Sequence, residues 1–233
     1  MTINDFLEEL KKININPTSD QLDKLEKYYE LLIEYNKVMN LTGITEKDQV
    51  YLKHFYDSLT IIKAVDLNNY DSLCDMGTGA GFPGLVLKIF YPHLKVTLID
   101  SLNKRINFLN EVIKQLKLDK IEAIHARLEE YGIVNRDKFD IVTSRAVASI
   151  NVLLEYAAPI LKVNGLFICM KGNLENEKDY QNAMNKLNIK VENKVEFELP
   201  FEHSKRTIIT FKKIKETNKL FPRKYSDIIK KPS

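Results

Sequence analysis

The sequence predicts an α/β fold, a doubly wound and mostly parallel sheet preceded by an N-terminal helical extension. Three observations predict it. From residue 72 onward, short apolar runs rich in β-formers alternate with stretches of helical periodicity, the pattern of strand–helix–strand units. The first of these runs enters Leu73-Cys74-Asp75-Met76-Gly77-Thr78-Gly79-Ala80-Gly81-Phe82-Pro83-Gly84, which reads as a strand, a tight glycine turn and a helix with proline in its first turn. Before residue 66, apolar residues recur at helical spacing, as in Leu22, Leu25, Tyr28, Tyr29, Leu32 and Tyr35.

In chain order, residues 5–12 predict a short helix with Phe6, Leu7 and Leu10 on one face, broken by Asn14-Ile15-Asn16-Pro17. Thr18-Ser19-Asp20-Gln21 reads as a capping box. The helix it opens has Leu22, Leu25, Tyr28, Tyr29, Leu32 and Tyr35 on a packing face and ends at Asn40-Leu41-Thr42-Gly43. A further helix is expected over 47–65, broken near His54-Phe55-Tyr56-Asp57-Ser58. Strands are expected at 72–75, 95–99, 121–125, 139–144, 165–170, 190–199 and 205–212, and helices at 83–90, 104–117, 150–161 and 173–187. The last two strands, joined through Phe201-Glu202-His203-Ser204, are expected to form an antiparallel hairpin. This divides the chain into an extension over 1–66, a ligand-binding domain over 67–214 and a basic tail over 215–233.

The glycine turn carries the first chemical signal. Glycines at alternate positions accept φ > 0 and let a nucleotide approach the backbone at the carboxyl end of the first strand. The dinucleotide fingerprint needs a third glycine where this chain has Phe82. The spacing here is instead Asp-x-Gly-x-Gly-x-Gly, the pattern of S-adenosylmethionine (SAM) methyltransferases. Val96-Thr97-Leu98-Ile99-Asp100 places an acid at the end of the second strand, where a carboxylate can accept both ribose hydroxyls. Gly77, Gly79 and Asp100 are therefore candidate cofactor residues, for a class I SAM-dependent methyltransferase.

Three later stretches fall on the same rim. His125-Ala126-Arg127-Leu128-Glu129-Glu130 follows the third strand, where main-chain groups of Leu128 and Glu129 can read an adenine edge. Thr143-Ser144-Arg145-Ala146-Val147 follows the fourth strand and Lys171-Gly172 the fifth. Arg145 has two readings: a clamp on the SAM carboxylate or an RNA phosphate, or a structural ion pair. Phe82 also has two: packing on the bound adenosine or base, or packing beneath the loop.

Composition bounds the rest. With 233 residues, 44% hydrophobic and 29% charged, the chain is long enough for a sizeable core. No apolar stretch approaches the ~20 residues of a membrane span, and the start lacks signal-peptide features, so a cytoplasmic protein is expected. Cys74 and Cys169 fall in buried strands as reduced thiols, and four scattered histidines predict no metal. Net charge is +3, but residues 205–233 hold ten Lys/Arg against Glu216 and Asp227, a net +8 on a body of −5. That asymmetry fits an anionic partner such as RNA and equally a solvated lysine-rich end.

Asn36-Lys37-Val38-Met39-Asn40-Leu41-Thr42, Lys53-His54-Phe55-Tyr56-Asp57-Ser58-Leu59, the glycine-rich stretch and Ser144-Arg145-Ala146 together resemble the RsmG (GidB) family, over nearly the whole chain and in order. The resemblance implies SAM-dependent methylation of a guanine N7 in the 16S ribosomal RNA of the bacterial small subunit. It also implies a SAM site at Gly77, Phe82, Leu128, Glu129 and Arg145, with Asp100 at the ribose, and a monomer acting on the RNA or the assembled subunit. Guanine N7 has a free lone pair and no proton, so no catalytic base is expected and Arg145 is given a positioning role. Two readings stand beside this one: a SAM enzyme acting on a small molecule or protein, and an RNA-binding module without catalysis.

Overall fold

The computed structural model describes residues 1–145, 148–172 and 175–232. Two helices open the chain, α1 (Ile3–Lys12) and α2 (Ser19–Met39). The Thr18–Gln21 capping box forms as expected, and α2 ends at Asn40, whose left-handed φ of 50° turns the chain. The next helical stretch changes winding several times. One turn of α3 (Lys47–Val50) passes into a π-helix at Tyr51–Tyr56, then α4 (Asp57–Leu59), then a 3-10 turn at Thr60–Lys63. The change falls on the His54–Ser58 stretch, where wide turns bring His54 and Asp57 toward the sheet.

The sheet is built from β1 (Ser72–Met76), β2 (Lys95–Asp100), β3 (Ile121–His125), β4 (Phe139–Arg145), β5 (Leu161–Lys171), β6 (Ile189–Glu198) and β7 (Lys205–Lys213), in the order β3-β2-β1-β4-β5-β7-β6. The first five strands run parallel, and β7 enters antiparallel between β5 and β6. Between them run α5 (Gly84–Phe90), α6 (Asn103–Gln115), α7 (Leu128–Val134), α8 (Ile150–Ile160) and α9 (Gln181–Leu187), and α10 (Tyr225–Lys230) closes the chain. The strand order reverses between β1 and β4, so the crevice at their carboxyl ends is the expected ligand position.

One apolar cluster joins α1, α2 and the π-helix to α5, α6 and one sheet face, with Phe6, Leu25, Tyr28, Phe55, Leu98 and Phe108 inaccessible to solvent. The other face is covered by α7, α8 and α9, with Phe221 and Ile228 from the C-terminal segment packed onto it. Cys74 and Cys169 are free thiols buried in β1 and β5.

Several expectations need correction. The loop expected to hold Leu128 and Glu129 is the first turn of α7, a helix too short and too weakly periodic to read from sequence. The helix expected over 173–187 is only Gln181–Leu187. Before it lies a 3-10 turn at Glu177–Asp179, capped by the Asn176 side chain, and its first expected residues, 173 and 174, lie outside the described residues. Ala146 and Val147, read as part of the rim after β4, also lie outside them. The +8 segment is not a solvated end. Its first nine residues are β7, Lys213 Nζ is buried on Asp137 Oδ1 and on the carbonyls of Ala158 and Leu161, Arg206 bonds to Asp57, and Arg223 bonds to Glu155. Cutting the chain after Ile214 would therefore strip core-packed residues along with charge.

Gly84, the first residue of α5, shows how tightly the glycine stretch sits. A Cβ there would lie 2.5 Å from Leu98 Cδ2 and 2.7 Å from Asp75 Cβ. Gly84→Ala is expected to destabilise by about 1–3 kcal/mol through overpacking. Urea unfolding followed by circular dichroism measures it, and an unchanged midpoint would mean that β1 and α5 can separate freely.

Candidate active site

The chain turns sharply at the end of β1. Gly77, Gly79 and Gly81 have φ of 65°, 61° and 102°, a run that residues with a Cβ adopt only under strain. Hydrogen bonds hold the turn: Thr78 N–H to the Ile99 carbonyl at 3.0 Å, and Gly81 and Phe82 N–H to the Thr78 carbonyl at 2.9 and 3.0 Å. Asp75 anchors it from below, its Oδ2 accepting from Thr78 Oγ1 at 2.7 Å and from Gly84 N–H at 2.8 Å. The other oxygen, Oδ1, is buried without a hydrogen-bond partner among the described residues. Burial pushes the Asp75 carboxyl up to about 6, against the pull of those two hydrogen bonds.

This turn lines a cavity of about 620 Å³. All seven residues expected at the cofactor site, Gly77, Gly79, Phe82, Asp100, Leu128, Glu129 and Arg145, lie on its wall. They arrive from the β1, β2, β3 and β4 ends of the sheet. The volume is within the usual range for small-molecule sites.

Asp100 is only 3% exposed. Its Oδ2 accepts from Gly79 N–H at 3.0 Å and Arg105 Nη1 at 3.0 Å, and its Oδ1 accepts from Leu102 N–H at 2.9 Å. It holds the glycine turn in place, because the β2 end lies directly beside that turn. The remaining capacity on Oδ1 can still accept a hydroxyl.

Phe82 packs beneath the loop. Its ring stacks on Tyr28 at 5.4 Å and on His54 at 4.4 Å, and is 5% exposed. Tyr28 is wholly buried, and its hydroxyl donates to the Ala80 carbonyl. Thus α2, read from sequence only as a packing face, is the floor of the glycine turn.

Arg145 takes the ion-pair reading. Nη1 donates to the Lys53 carbonyl at 2.8 Å and to Asp57 Oδ2 at 3.3 Å, and Nη2 donates to His54 Nδ1 at 3.2 Å. The guanidinium also lies over the Phe82 ring at 5.3 Å. With these partners Arg145 fixes the N-terminal helices against β4, so a free fork for a carboxylate or phosphate is not what the residue offers. Asp57 is shared, since its Oδ1 accepts from Arg206 Nε of β7 at 3.0 Å.

The motifs before residue 66 supply the remaining wall. Asn36 Oδ1 accepts from the N–H groups of Leu41 and Thr42 at 2.6 and 2.9 Å, and Asn36 Nδ2 donates to the Thr42 carbonyl at 3.0 Å. That clamp sets Leu41 and Thr42 on the cavity beside His54. At the other end Tyr225 and Ile229 of α10 complete the lining, with Arg127 over the Tyr225 ring at 5.7 Å. Composition signalled charge in the C-terminal segment but not these apolar contacts. A second cavity of about 330 Å³, between Lys53, Met170, Phe197, Arg206 and Ile208, shares His54 and Arg145 with the first. Among the described residues no group of three His, Cys, Asp or Glu side chains is placed to hold a metal, and no helix is long and apolar enough to cross a membrane.

The wall fits SAM on chemical grounds: a backbone surface at Gly79 open to the cavity, a strand-end carboxylate with acceptor capacity, and an apolar flank at Val152 and Tyr156. Comparisons agree with the fold. A SAM-dependent methyltransferase structure from Aquifex aeolicus superposes with a TM-score of 0.55 at 17% identity, covering 72% of this chain and 94% of that one. The YcgJ protein structure from Bacillus subtilis superposes with a TM-score of 0.55 at 12% identity, covering 70% and 100%. In sequence, the small-subunit ribosomal RNA methyltransferase G of Lachnoclostridium phytofermentans is 48% identical over 231 residues, covering 97% of this chain and 96% of its own. The Bacillus subtilis protein of the same name is 46% identical over 228 residues, covering 96% and 95%. The family profile described as GidB, rRNA small subunit methyltransferase G, matches residues 21–209, a span that includes the Asn36 clamp, His54, the glycine turn and Arg145. By that match and by near-half identity over almost its full length, the chain belongs to the rRNA small subunit methyltransferase G family.

Proposed function

We propose that this chain transfers the methyl group of SAM to the N7 of a guanine in 16S ribosomal RNA, acting in the cytoplasm as a monomer on the RNA or the small subunit. One observation carries the reading. The seven expected cofactor residues line one cavity at the strand ends, and that cavity adjoins a second through a shared His54–Arg145 wall. In this reading the first cavity holds SAM, with its ribose at Asp100, its adenine by Leu128 and Glu129, and its methionine by Gly77 and Gly79. The second opens toward the acceptor base. Residues 67–214 form the cofactor-binding unit, 1–66 the extension that roofs it, and 215–233 the segment that closes the adenine side.

When bound, SAM supplies a methyl group on a sulfonium, ready for displacement. The protein's task is alignment, because N7 carries a lone pair and no proton. The His54–Arg145 wall lies between the cavities and holds the N-terminal roof in register with β4. Positive charge close to N7 would oppose a product that is itself cationic, and Asp57 draws the Arg145 guanidinium away toward the roof. The saturated single-turnover rate is accordingly expected to be flat between about pH 6.5 and 8.5, with no limb of the kind an essential base creates. A tenfold rise per pH unit in that rate would instead indicate a protonated acceptor atom.

The direct test is tritium transfer from labelled SAM into small-subunit RNA, followed by nucleoside mass spectrometry to map the product. Label in protein or small metabolites in place of RNA would refute the reading, as would RNA binding without transfer. For the cofactor, Asp100→Ala is expected to weaken SAM binding by about 1–3 kcal/mol, since it removes an acceptor and frees the Gly79 turn together. Calorimetry on the folded variant decides; undiminished affinity would remove Asp100 from the site.

A further inference from the structure

One side chain at the roof of the first cavity, Thr42, has a polarity fixed by its hydrogen bonds. Arginine can only donate, so the 3.2 Å contact from Arg145 Nη2 makes His54 Nδ1 an acceptor. The His54 ring is buried and neutral, held down to about 3 by burial first and then by the Arg145 charge. A neutral ring that accepts at Nδ1 carries its proton at Nε2. That N–H donates to Thr42 Oγ1 at 2.9 Å. The same oxygen accepts the Ile44 N–H at 3.0 Å. Both lone pairs of the Thr42 hydroxyl are then filled, and its own O–H is left to donate. Thr42 lines the cavity next to His54 and Phe82, at the end where the two cavities meet.

A threonine hydroxyl is ordinarily ambivalent and can face a donor or an acceptor. Here the Arg145–His54–Thr42 chain removes the choice. Beside N7, guanine presents O6, an acceptor, where adenine presents an amino donor. N7 spends its lone pair on the new bond, so of the two acceptors on that edge of guanine O6 is the one left for recognition. We infer that the Thr42 hydroxyl donates to O6 of the acceptor guanine and is a specificity-determining residue that rejects adenine, whose amino group it cannot accept. This rests on the proposed guanine-N7 reading.

The experiment measures single-turnover methyl transfer at saturating SAM into small-subunit RNA in which the mapped guanosine is retained or replaced by inosine or 2-aminopurine riboside. Inosine keeps O6, N1–H and N7; 2-aminopurine keeps N7 but lacks both O6 and the N1 proton, so the part of its penalty that depends on Thr42 reports O6. The wild-type protein is expected to accept inosine and to lose about tenfold or more on 2-aminopurine, the scale of one hydrogen bond left unmade at a buried site. Thr42→Val should slow transfer to guanosine by a similar factor without adding to the 2-aminopurine loss, so that the penalty collapses. Thr42→Ser keeps the hydroxyl and should keep the penalty. Structural damage from Thr42→Val would slow both acceptors in parallel, and an unchanged 2-aminopurine penalty in that variant overturns the inference. So does a SAM dissociation constant weakened about tenfold in Thr42→Val, which would assign the hydroxyl to the cofactor. If the wild-type protein transfers nothing to the guanosine RNA, the guanine-N7 reading itself falls and this inference with it, an outcome distinct from both others.

Discussion

Asp57→Ala is expected to cost about 3–5 kcal/mol of folding stability. The Asp57 side chain is 6% exposed and accepts from two guanidinium groups, Arg145 Nη1 at 3.3 Å and Arg206 Nε at 3.0 Å, themselves 16% and 21% exposed. Removing the carboxylate leaves two partly buried cations facing each other across the cavity that Asp57 vacates. Ion pairs at the surface are worth little, because water screens them and side-chain entropy opposes them. This one differs in that it joins three parts of the chain, the wound helical stretch, β4 and β7. Urea unfolding measures the loss, and a double-mutant cycle with Arg206→Ala should give a coupling of about 0.5–3 kcal/mol. If Asp57→Ala unfolds at the wild-type midpoint, the roof is held by apolar contacts alone. SAM affinity should fall as well, since Arg145 and His54 lie on the cavity wall and lose their register.

The same cluster shows what was legible in the sequence. Strand order, the glycine turn and the β2 acid could be read because each is a local pattern: alternation, glycine spacing, a carboxylate closing an apolar run. The motifs around Asn36, His54 and Arg145 were visible as residue strings, yet their joint arrangement was not. Asn36 reaches six residues forward, Arg145 reaches back to Lys53, His54 and Asp57, and Arg206 reaches Asp57 across 149 positions. Only folding brings such partners together, and spacing along the chain carries no trace of it. For the same reason Arg145 could be read as a ligand clamp: an arginine at a strand end is equally apt for a carboxylate on SAM or on Asp57. The basic C-terminal segment failed differently. Net charge counts lysines and arginines without regard to burial, and here Lys213, Arg206 and Arg223 are engaged with internal acceptors.

The stability of the protein against pH should conceal two large opposing contributions at the glycine turn and the His54 wall beside it, and two variants should expose them. Asp75 carries its carboxyl at about 6 in place of 3.8, because burial disfavours its charge. A carboxyl raised on folding contributes stability below its unfolded value and loses it as pH rises through the folded value. His54 carries its imidazole at about 3 in place of 6.5, through burial and then the Arg145 charge. A histidine lowered on folding contributes stability above its unfolded value and loses it as pH falls toward the folded one. Between about pH 4 and 6 the folded state binds one proton more than the unfolded state at Asp75 and one fewer at His54, and each imbalance is worth about 1.4 kcal/mol per pH unit. In the wild-type protein the two slopes cancel. Asp75→Asn keeps an acceptor for Thr78 and Gly84 but cannot ionise, so relative to wild type its unfolding free energy should climb with pH across that window by about 2–3 kcal/mol in total. His54→Gln should show the mirror image, falling with pH by a similar amount relative to wild type. Background carboxylates are common to all three proteins and drop out of the comparison. Urea titrations at half-unit pH steps supply the three curves; if they run parallel, neither group is buried as a lone charge risk beneath the glycine turn, and the turn must be more open to water than its packing against Tyr28 and Phe82 implies.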